Sequence, residues 1–296
     1  MPIREREAQA APRSRCDALE RIANEGNAKR TTELNHGHVA SASSFASVEQ
    51  VAREQPDAKG VIWERCAHAC KAEMEQWVAG QKTTRGAFSV EQLFTRVEDA
   101  GTAQPSKRAK VLSTMSDTDI AALVAGPQDV QAACQKVVAW LPPALRGPMS
   151  RDASALAEIL LRLCPDATWL TIQVEIVDHL GTCTRWHQDR YTARALITYT
   201  GPGTWCVDDA SVRYDQFAKT VYAPMEESDA RIVPNFNSIH RPQSNAVVLM
   251  KGNDWPGIRG VGLTHKAPND LKPGLKRLII KVDLVNGKRP EIGEDG

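Results

Sequence analysis

The sequence predicts an α+β protein in which the helices precede the strands. From Gly60 to about residue 165, apolar side chains recur at helical spacings. After Pro165 the chain changes to short β-branched runs interrupted by glycine and proline, which is typical of an all-β barrel or sandwich. With 296 residues and 42% hydrophobic composition, the chain suffices for one large domain or for one domain with a substantial helical extension.

The predicted organisation has four parts. Residues 1–55 are polar, small and weakly periodic, so we expect a flexible arm. Residues 56–165 form a helical support region, residues 166–285 a β-barrel and residues 286–296 a tail. Helices are predicted at about 62–80, 90–97, 116–124, 130–140 and 153–163, and strands at 170–177, 194–200, part of 212–221, 246–250 and 277–284.

Composition excludes several classes of partner. The formal net charge is +1, so the composition does not indicate a basic surface for binding nucleic acid. No run of eighteen apolar residues is present, so no membrane span is predicted. The N-terminus has acids beside its arginines and no apolar core, so we expect a cytoplasmic protein, although an organellar transit peptide stays open. The seven cysteines are irregularly spaced, which favours reduced thiols.

The strongest chemical signal is the pair His187 and Asp189. It follows the strand predicted at 170–177, and in an extended segment residues two apart share a face. His265, which follows the strand predicted at 246–250, could complete a set of three metal ligands. Two imidazoles and one carboxylate leave other metal positions open, the arrangement of non-haem Fe(II) sites. His240 is the chief alternative for the third ligand, and Cys183 is a possible neighbour.

Arg277 opens the last predicted strand, twelve residues after His265. Its neighbours Leu278, Ile280 and Val282 share the opposite face. If the helices cover the outside of this sheet, they meet the apolar face and Arg277 points inward to the metal. If the apolar face lines the barrel, Arg277 points to solvent. An inward guanidinium could hold a co-substrate carboxylate as a bidentate fork.

Other residues remain candidates for contacting a co-substrate. Arg194 or Lys281 could bind its carboxylate in place of Arg277. Tyr199 could line the cavity or pack in the core. It precedes Gly201-Pro202-Gly203, which is interpreted as a tight turn rather than a phosphate loop, because no helix opens after it.

These motifs carry a family resemblance over roughly residues 165 to 285. The order His-x-Asp, His, then Arg resembles the superfamily of 2-oxoglutarate- and Fe(II)-dependent dioxygenases. The chain is more closely similar to an uncharacterised bacterial domain family associated with zinc-homeostasis gene neighbourhoods. The matching strings are Cys183-Thr184-Arg185-Trp186-His187-Gln188-Asp189, Arg194-Ala195-Leu196, Thr198-Tyr199-Thr200-Gly201-Pro202-Gly203-Thr204, Leu249-Met250-Lys251-Gly252, His265-Lys266-Ala267-Pro268 and Arg277-Leu278.

The resemblance implies a double-stranded β-helix, a jelly-roll barrel, in the C-terminal half with the helical half packed on its outside. It implies that His187, Asp189 and His265 are the metal ligands and the catalytic residues, and that Fe(II) is the metal. It also implies that 2-oxoglutarate is bound by Arg277, with Arg194 and Tyr199 as further candidates. The same ligands accept Zn or Mn.

The sequence leaves more than one class of function open. An oxygenase that oxidises a small-molecule or other unknown substrate is the primary hypothesis. A metal-binding barrel without oxygenase activity in zinc homeostasis, or a cupin-like isomerase or lyase, is the alternative, since such barrels host many functions. The substrate and the oligomeric state do not follow from the sequence.

Overall fold

The computed structural model describes residues 37–84, 89–93, 123–124, 127–167, 169–178, 183–258, 260–269, 271–272 and 274–285. The tail predicted at 286–296 and the first 36 residues of the predicted arm lie outside these ranges, as do residues 94–122.

The described elements form a mixed α+β protein. Its strands are β1 (His38–Ser41), β2 (Ala58–Trp63), β3 (Ser89–Leu93), β4 (Leu123–Val124), β5 (Trp169–Val177), β6 (Ala193–Thr198), β7 (Trp205–Val207), β8 (Ile239–His240), β9 (Val247–Lys251), β10 (Thr264–Lys266) and β11 (Arg277–Val285). Its α-helices are α1 (Phe45–Glu54), α2 (Lys71–Ala79), α3 (Pro127–Val137), α4 (Pro143–Leu163), α5 (Phe217–Thr220) and α6 (Met225–Ile232), with short 3-10 turns at Asp209–Ser211, Tyr214–Gln216 and Phe236–Ser238.

The strands form two sheets. A large sheet of eight strands has the order β1-β2-β9-β6-β11-β5-β3-β4, and a small sheet of three strands has the order β10-β7-β8. Between β5 and β11 the chain alternates between the sheets, except that the consecutive strands β7 and β8 both lie in the small sheet. His187 joins the small sheet through a bridge to His265 in β10. Cys206 of β7 packs in one apolar cluster with Leu196 and Ile279 of the large sheet, so inward faces of the two sheets meet. The described strands are not shown to close into a barrel.

The other face of the large sheet is covered by helices. Alternate residues of β11 (Leu278, Ile280, Val282, Leu284) are fully buried in one cluster with side chains of α3 and α4, such as Leu156. The helix-covered arrangement predicted for β11 is therefore present, and Arg277 lies on the face turned away from the helices. Helix α4 begins at Pro143, ten residues before the predicted start at 153, because proline fits the first turn of a helix.

The N-terminal part differs from prediction. Residues 38–54, expected in a flexible arm, form β1 and α1, and Val48 and Ala52 of α1 are buried in the main core. Ser44 caps α1 with a capping box formed with Ser47. Ile62 and Trp63, placed at the start of a helix by their apolar spacing, belong to strand β2, and residues 90–93 are part of strand β3 instead of helix. The expected helical region thus adds three strands, β2, β3 and β4, to the large sheet, and the expected arm adds β1.

Residues 209–238 cover the outer face of the small sheet with turns and short helices. Part of this segment, 212–221, was predicted to contain strand, but it forms a 3-10 turn and α5. Its Tyr214, Phe217 and Ile232 bury Trp186 and Trp205 in a second apolar cluster. Among the described residues, none of the helices combines the length and apolar character that crossing a bilayer requires.

Candidate metal centre

Three predicted ligands meet on the inner face of the small sheet. His187 and His265 are bridge partners, and the backbone N–H of each donates to the carbonyl of the other at 3.0 and 2.9 Å. Directly opposed residues in antiparallel strands project to the same face. Their rings are therefore side by side, with centroids 4.3 Å apart. Asp189, two residues after His187, turns its carboxylate toward the same point.

The distances suit a single ion. Asp189 Oδ1 lies 3.8 Å from His187 Nε2, and Asp189 Oδ2 lies 3.4 Å from His265 Nε2. One atom from each of the three residues lies within 4.8 Å of the others. Ligands about 2.1 Å from one ion are at most about 4.2 Å apart, so only small adjustments are needed. These three residues are the candidate metal-binding group found among the described residues.

The two imidazoles are held in the ligating tautomer. Nδ1 of His187 lies 2.9 Å from the Arg185 carbonyl, and Nδ1 of His265 lies 3.0 Å from the Leu263 carbonyl. Because a carbonyl oxygen only accepts, each Nδ1 carries the hydrogen and each Nε2 keeps its lone pair toward the centre. Burial, the largest cause, lowers the pKa of His265, which also favours the neutral imidazole.

Arg194 supports the carboxylate instead of a co-substrate. Its Nη1 lies 2.8 Å from Asp189 Oδ2, while its Nε and Nη2 donate to Asp283 at 2.5 and 2.9 Å. Burial alone would raise the pKa of Asp189, but the positive charge of Arg194, the largest opposing cause, helps to hold that pKa well below its usual range. The expectation that Arg194 binds a co-substrate is corrected, because two carboxylates already occupy its guanidinium.

A glycine shapes the loop after Asp189. A side chain at Gly252 would place its Cβ 1.8 Å from the carbonyl oxygen of Tyr191, so only glycine lets β9 leave the sheet here. The next residue, Asn253, donates its N–H to the Asp189 carbonyl at 2.9 Å. The string Leu249-Met250-Lys251-Gly252 contained this signal, but sequence reasoning assigned Gly252 no role.

Arg277 is a buried cation on the same inner face of the large sheet. It is 1% exposed, and its Nη2 lies 3.3 Å from Thr198 Oγ1 and 3.4 Å from Thr204 Oγ1. Its Nε has no hydrogen-bond partner, and no carboxylate among the described residues pairs with it. Burial lowers the pKa of Arg277 to about 10. Gly201, at φ +72°, forms the predicted turn and leaves room for the Arg277 side chain, since an added Cβ would lie 3.0 Å from Arg277 Cγ.

The other predicted residues are placed elsewhere. Tyr199 belongs to the helix-covered face and donates its hydroxyl to Asp152 Oδ2 of α4 at 2.7 Å, so its predicted contact with a co-substrate is wrong. Lys281 pairs with Glu175 at 2.7 Å and is not available as a substitute for Arg277. His240 lies opposite Cys206 on β8, pairs with Asp208 at 3.3 Å, and is outside the candidate ligand group.

The thiols do not join the centre. Cys206 lies between His265 and His240 in the strand register, and burial raises the pKa of its thiol to about 12. Cys183 is also outside the candidate ligand group. The six cysteines in the described ranges form no disulfides.

Solved structures offer distant similarities. One is the dioxygenase for auxin oxidation 1 from Arabidopsis thaliana in a complex with 2-oxoglutarate, at 12% identity and TM-score 0.41, covering 85% of this chain and 93% of that chain. Another is a full-length Neurospora crassa protein in complex with alpha-KG, at 10% identity and TM-score 0.33, covering 85% of each chain. No curated protein matches the sequence.

A family model matches residues 42–283, which include every strand from β2 to β10, most of β11 and all three candidate ligands. Its description is "Protein of unknown function (DUF1826)". Because the match spans most of the 296 residues, the chain belongs to the DUF1826 family.

Proposed function

We propose that this protein is an Fe(II)- and 2-oxoglutarate-dependent oxygenase. The observation that carries the proposal is the pairing of a two-histidine, one-carboxylate group with a buried arginine that has no carboxylate partner among the described residues. Such a ligand set leaves metal positions open for a co-substrate and O₂. When bound, iron with 2-oxoglutarate would supply the oxidising chemistry, while the protein positions the reactants and excludes water.

The strand order supports the architecture this proposal needs. The large sheet contains β9-β6-β11-β5, and the small sheet contains β8-β7-β10 followed by the His187 segment. Successive segments from β5 to β11 alternate between the sheets, except that β7 and β8 are neighbours. This order is that of a double-stranded β-helix, a jelly-roll in which ligands from the small sheet face the large one.

Arg277 and the candidate ligands approach the same chain segment. Arg277 donates a hydrogen bond to Thr204, and His265 pairs with Cys206, two residues further along that segment. Arg277 would receive the distal carboxylate as a charge-assisted pair, with Thr198 and Thr204 adding hydroxyl donors.

Protein side chains prepare the site for this role. Arg194 holds Asp189 ionised and in place, and backbone carbonyls orient the two imidazoles. The charge on Arg277 lies in surroundings that disfavour it, so an incoming carboxylate gains more from the pair than it would in water.

The test is anaerobic addition of 2-oxoglutarate to the Fe(II)-loaded chain, followed by admission of O₂. We expect a weak visible charge-transfer band without O₂ and release of succinate with it. His265→Ala serves as the control and should give neither signal. Stoichiometric metal binding by the wild type without band or succinate would contradict the proposal and favour a metal-binding protein of another class.

A further inference from the structure

A cleft opens where one edge of the small sheet faces the end of the large sheet. Its volume is about 280 Å³, near the lower end of the range for small-molecule sites. Residues of β1 and β2 form one wall, and β8 with the residues after it forms the other. The apolar part of the lining is Val39, Ala42, Ile62 and Pro242.

One lining residue of the cleft, His240, lies in the same row of the small sheet as the two candidate histidine ligands. This row of paired residues crosses the small sheet. Each residue in the row is the register partner of the next, in the order His187, His265, Cys206 and His240. Residues paired in this way share a face. His240 and His265 are two strands apart, about 10 Å. His240 is thus too far away to ligate the ion but lies within the length of a small substrate.

The polar lining presents opposite charges. Arg241 lies over the Trp205 ring at 5.0 Å and donates one hydrogen bond, from Nη2 to the Phe236 carbonyl at 3.3 Å. Glu64 accepts from a single donor, the N–H of Gln243, at 3.3 and 3.2 Å. A guanidinium offers five donors and a carboxylate about four acceptor positions, so both groups keep capacity for a ligand.

Asp208, the residue after β7, lies beside His240. Its Oδ1 is 3.3 Å from His240 Nε2, and the same oxygen accepts the N–H of Val39 at 2.6 Å. Asp208 therefore holds β1 next to the end of β7. It also occupies the Val39 N–H that an extended peptide would need to add a strand to β1. The cleft consequently favours a small molecule over a peptide.

We propose that this cleft binds a small zwitterionic molecule of the amino-acid class, with an apolar side chain. Glu64 receives the amino group, Arg241 the carboxylate, and the apolar lining the side chain. His240 and Asp208 fix the wall nearest the candidate ligands and act as positioning residues. Presentation of this molecule to the metal rests on the proposed oxygenase function, whereas its binding in the cleft does not.

The test uses three probes with the same isobutyl side chain: L-leucine, N-acetyl-L-leucine, whose amine is blocked and uncharged, and L-leucinamide, whose carboxylate is replaced by a neutral amide. Each is titrated by calorimetry into the full chain without added metal or 2-oxoglutarate. We expect leucine to bind about tenfold or more tightly than either blocked analogue, because each analogue loses one charge-assisted pair. Equal affinity for the three probes, or no binding of leucine at tens of millimolar, overturns the proposal.

Two variants test which residue binds the amino group of leucine and which binds its carboxylate. Glu64→Gln should abolish the preference for leucine over its N-acetyl form while keeping the preference over the amide, and Arg241→Gln should do the reverse. Glu227→Gln, an exposed residue paired with Arg231 on α6, is the matched control and should keep both preferences. Unchanged preferences in Glu64→Gln and Arg241→Gln overturn the assignment of the cleft.

The outcomes separate the two proposals. Leucine binding in a chain that takes up no metal would support the cleft and contradict the oxygenase. Metal and 2-oxoglutarate binding in a chain that does not discriminate among the three probes would do the opposite.

Discussion

The two faces of the large sheet use the same strands for different purposes. On the helix-covered face, β11 presents four fully buried aliphatic side chains that share a core with α3 and α4. On the inner face, the same strand presents Arg277, Lys281 and Asp283, with Ile279 among them. The first face supplies stability through apolar burial, and the second carries the charged groups around the candidate centre. Substitutions on the two faces should therefore have separable effects.

The inner face itself shows a second contrast. Two of its charged groups in β11 are paired, Asp283 with Arg194 and Lys281 with Glu175. Arg277 is as deeply buried but contacts only hydroxyl oxygens among the described residues. Because a buried charge without a partner is destabilising, Arg277 is the residue of this face for which we propose a ligand-binding role.

The largest expected effect is loss of metal from the inner face. His265→Ala removes one of three candidate ligands and should lower metal affinity by orders of magnitude, with the fold retained because the aliphatic core is on the opposite side. Metal content of the purified variant checks this. His240→Ala is the control and should keep full metal content, so the reverse pattern would show that the ligand assignment is wrong.

The complementary experiment perturbs the helix-covered face. Ile280→Ala should lower the free energy of unfolding by about 2–5 kcal/mol, because it leaves a cavity in a fully buried cluster. The folded fraction should still bind metal stoichiometrically. Leu275→Ala, at a residue that is 38% exposed, should cost much less. Denaturant unfolding of both variants measures the difference, and equal losses would contradict the assignment of the faces.

A smaller effect is expected from the support of Asp189. Arg194→Gln removes the cation that holds the carboxylate and should weaken metal binding by about 10–100-fold, the usual range for a residue that orients a ligand. Competition with a chelator gives the affinity. If the variant keeps its metal affinity but loses 2-oxoglutarate binding, Arg194 is a co-substrate residue after all.

Sequence patterns predicted the parts of the fold that follow from local periodicity. The alternation in β11 identified both faces, and β5, β6, β9 and β11 lie within about two residues of their predicted positions. The spacing His-x-Asp identified two side chains that share a face. The third histidine was found because it follows a recognisable strand.

Contacts between residues that are far apart in the sequence explain where the predictions were wrong. β1 has only four residues, and their strand propensity is weak. Asp208 accepts a hydrogen bond from the backbone N–H of Val39, and Asp209 accepts one from the N–H of Gly37. The partners in these two bonds are 169 and 172 positions apart in the sequence. Similarly, the sequence predicted Arg194 as a co-substrate residue because it does not show that Asp189 and Asp283 pair with its guanidinium in the fold. Tyr199 was ambiguous because the odd-numbered face of β6 was not known to lie under α4.

The smallest expected effect is a change in the pH dependence of stability, and it concerns a buried lysine at the end of β9. Lys251 is 1% exposed and donates to the carbonyls of Gln55 and Pro56 at 3.2 and 3.4 Å. Burial lowers the pKa of Lys251 from 10.5 to about 8. The unfolded chain therefore binds more protons than the folded chain between these two values, and stability rises with pH across that window.

Lys251→Met isolates this contribution. The free energy of unfolding of the wild type should rise relative to the variant between pH 8 and pH 10, by at most about 1.4 kcal/mol per pH unit. Urea unfolding of both proteins at several pH values provides the measurement. Parallel pH profiles would show that Lys251 does not titrate in this range.

The central claim is that the unpaired Arg277 on the inner face receives a carboxylate of 2-oxoglutarate bound at the metal. The most direct measurement is anaerobic titration of 2-oxoglutarate into Fe(II)-loaded wild type and Arg277→Gln, followed by the visible charge-transfer band. We predict equal Fe(II) content in both proteins and an affinity for 2-oxoglutarate at least about tenfold weaker in the variant, because a charge-assisted pair is lost. Equal affinities in the two proteins would contradict the claim.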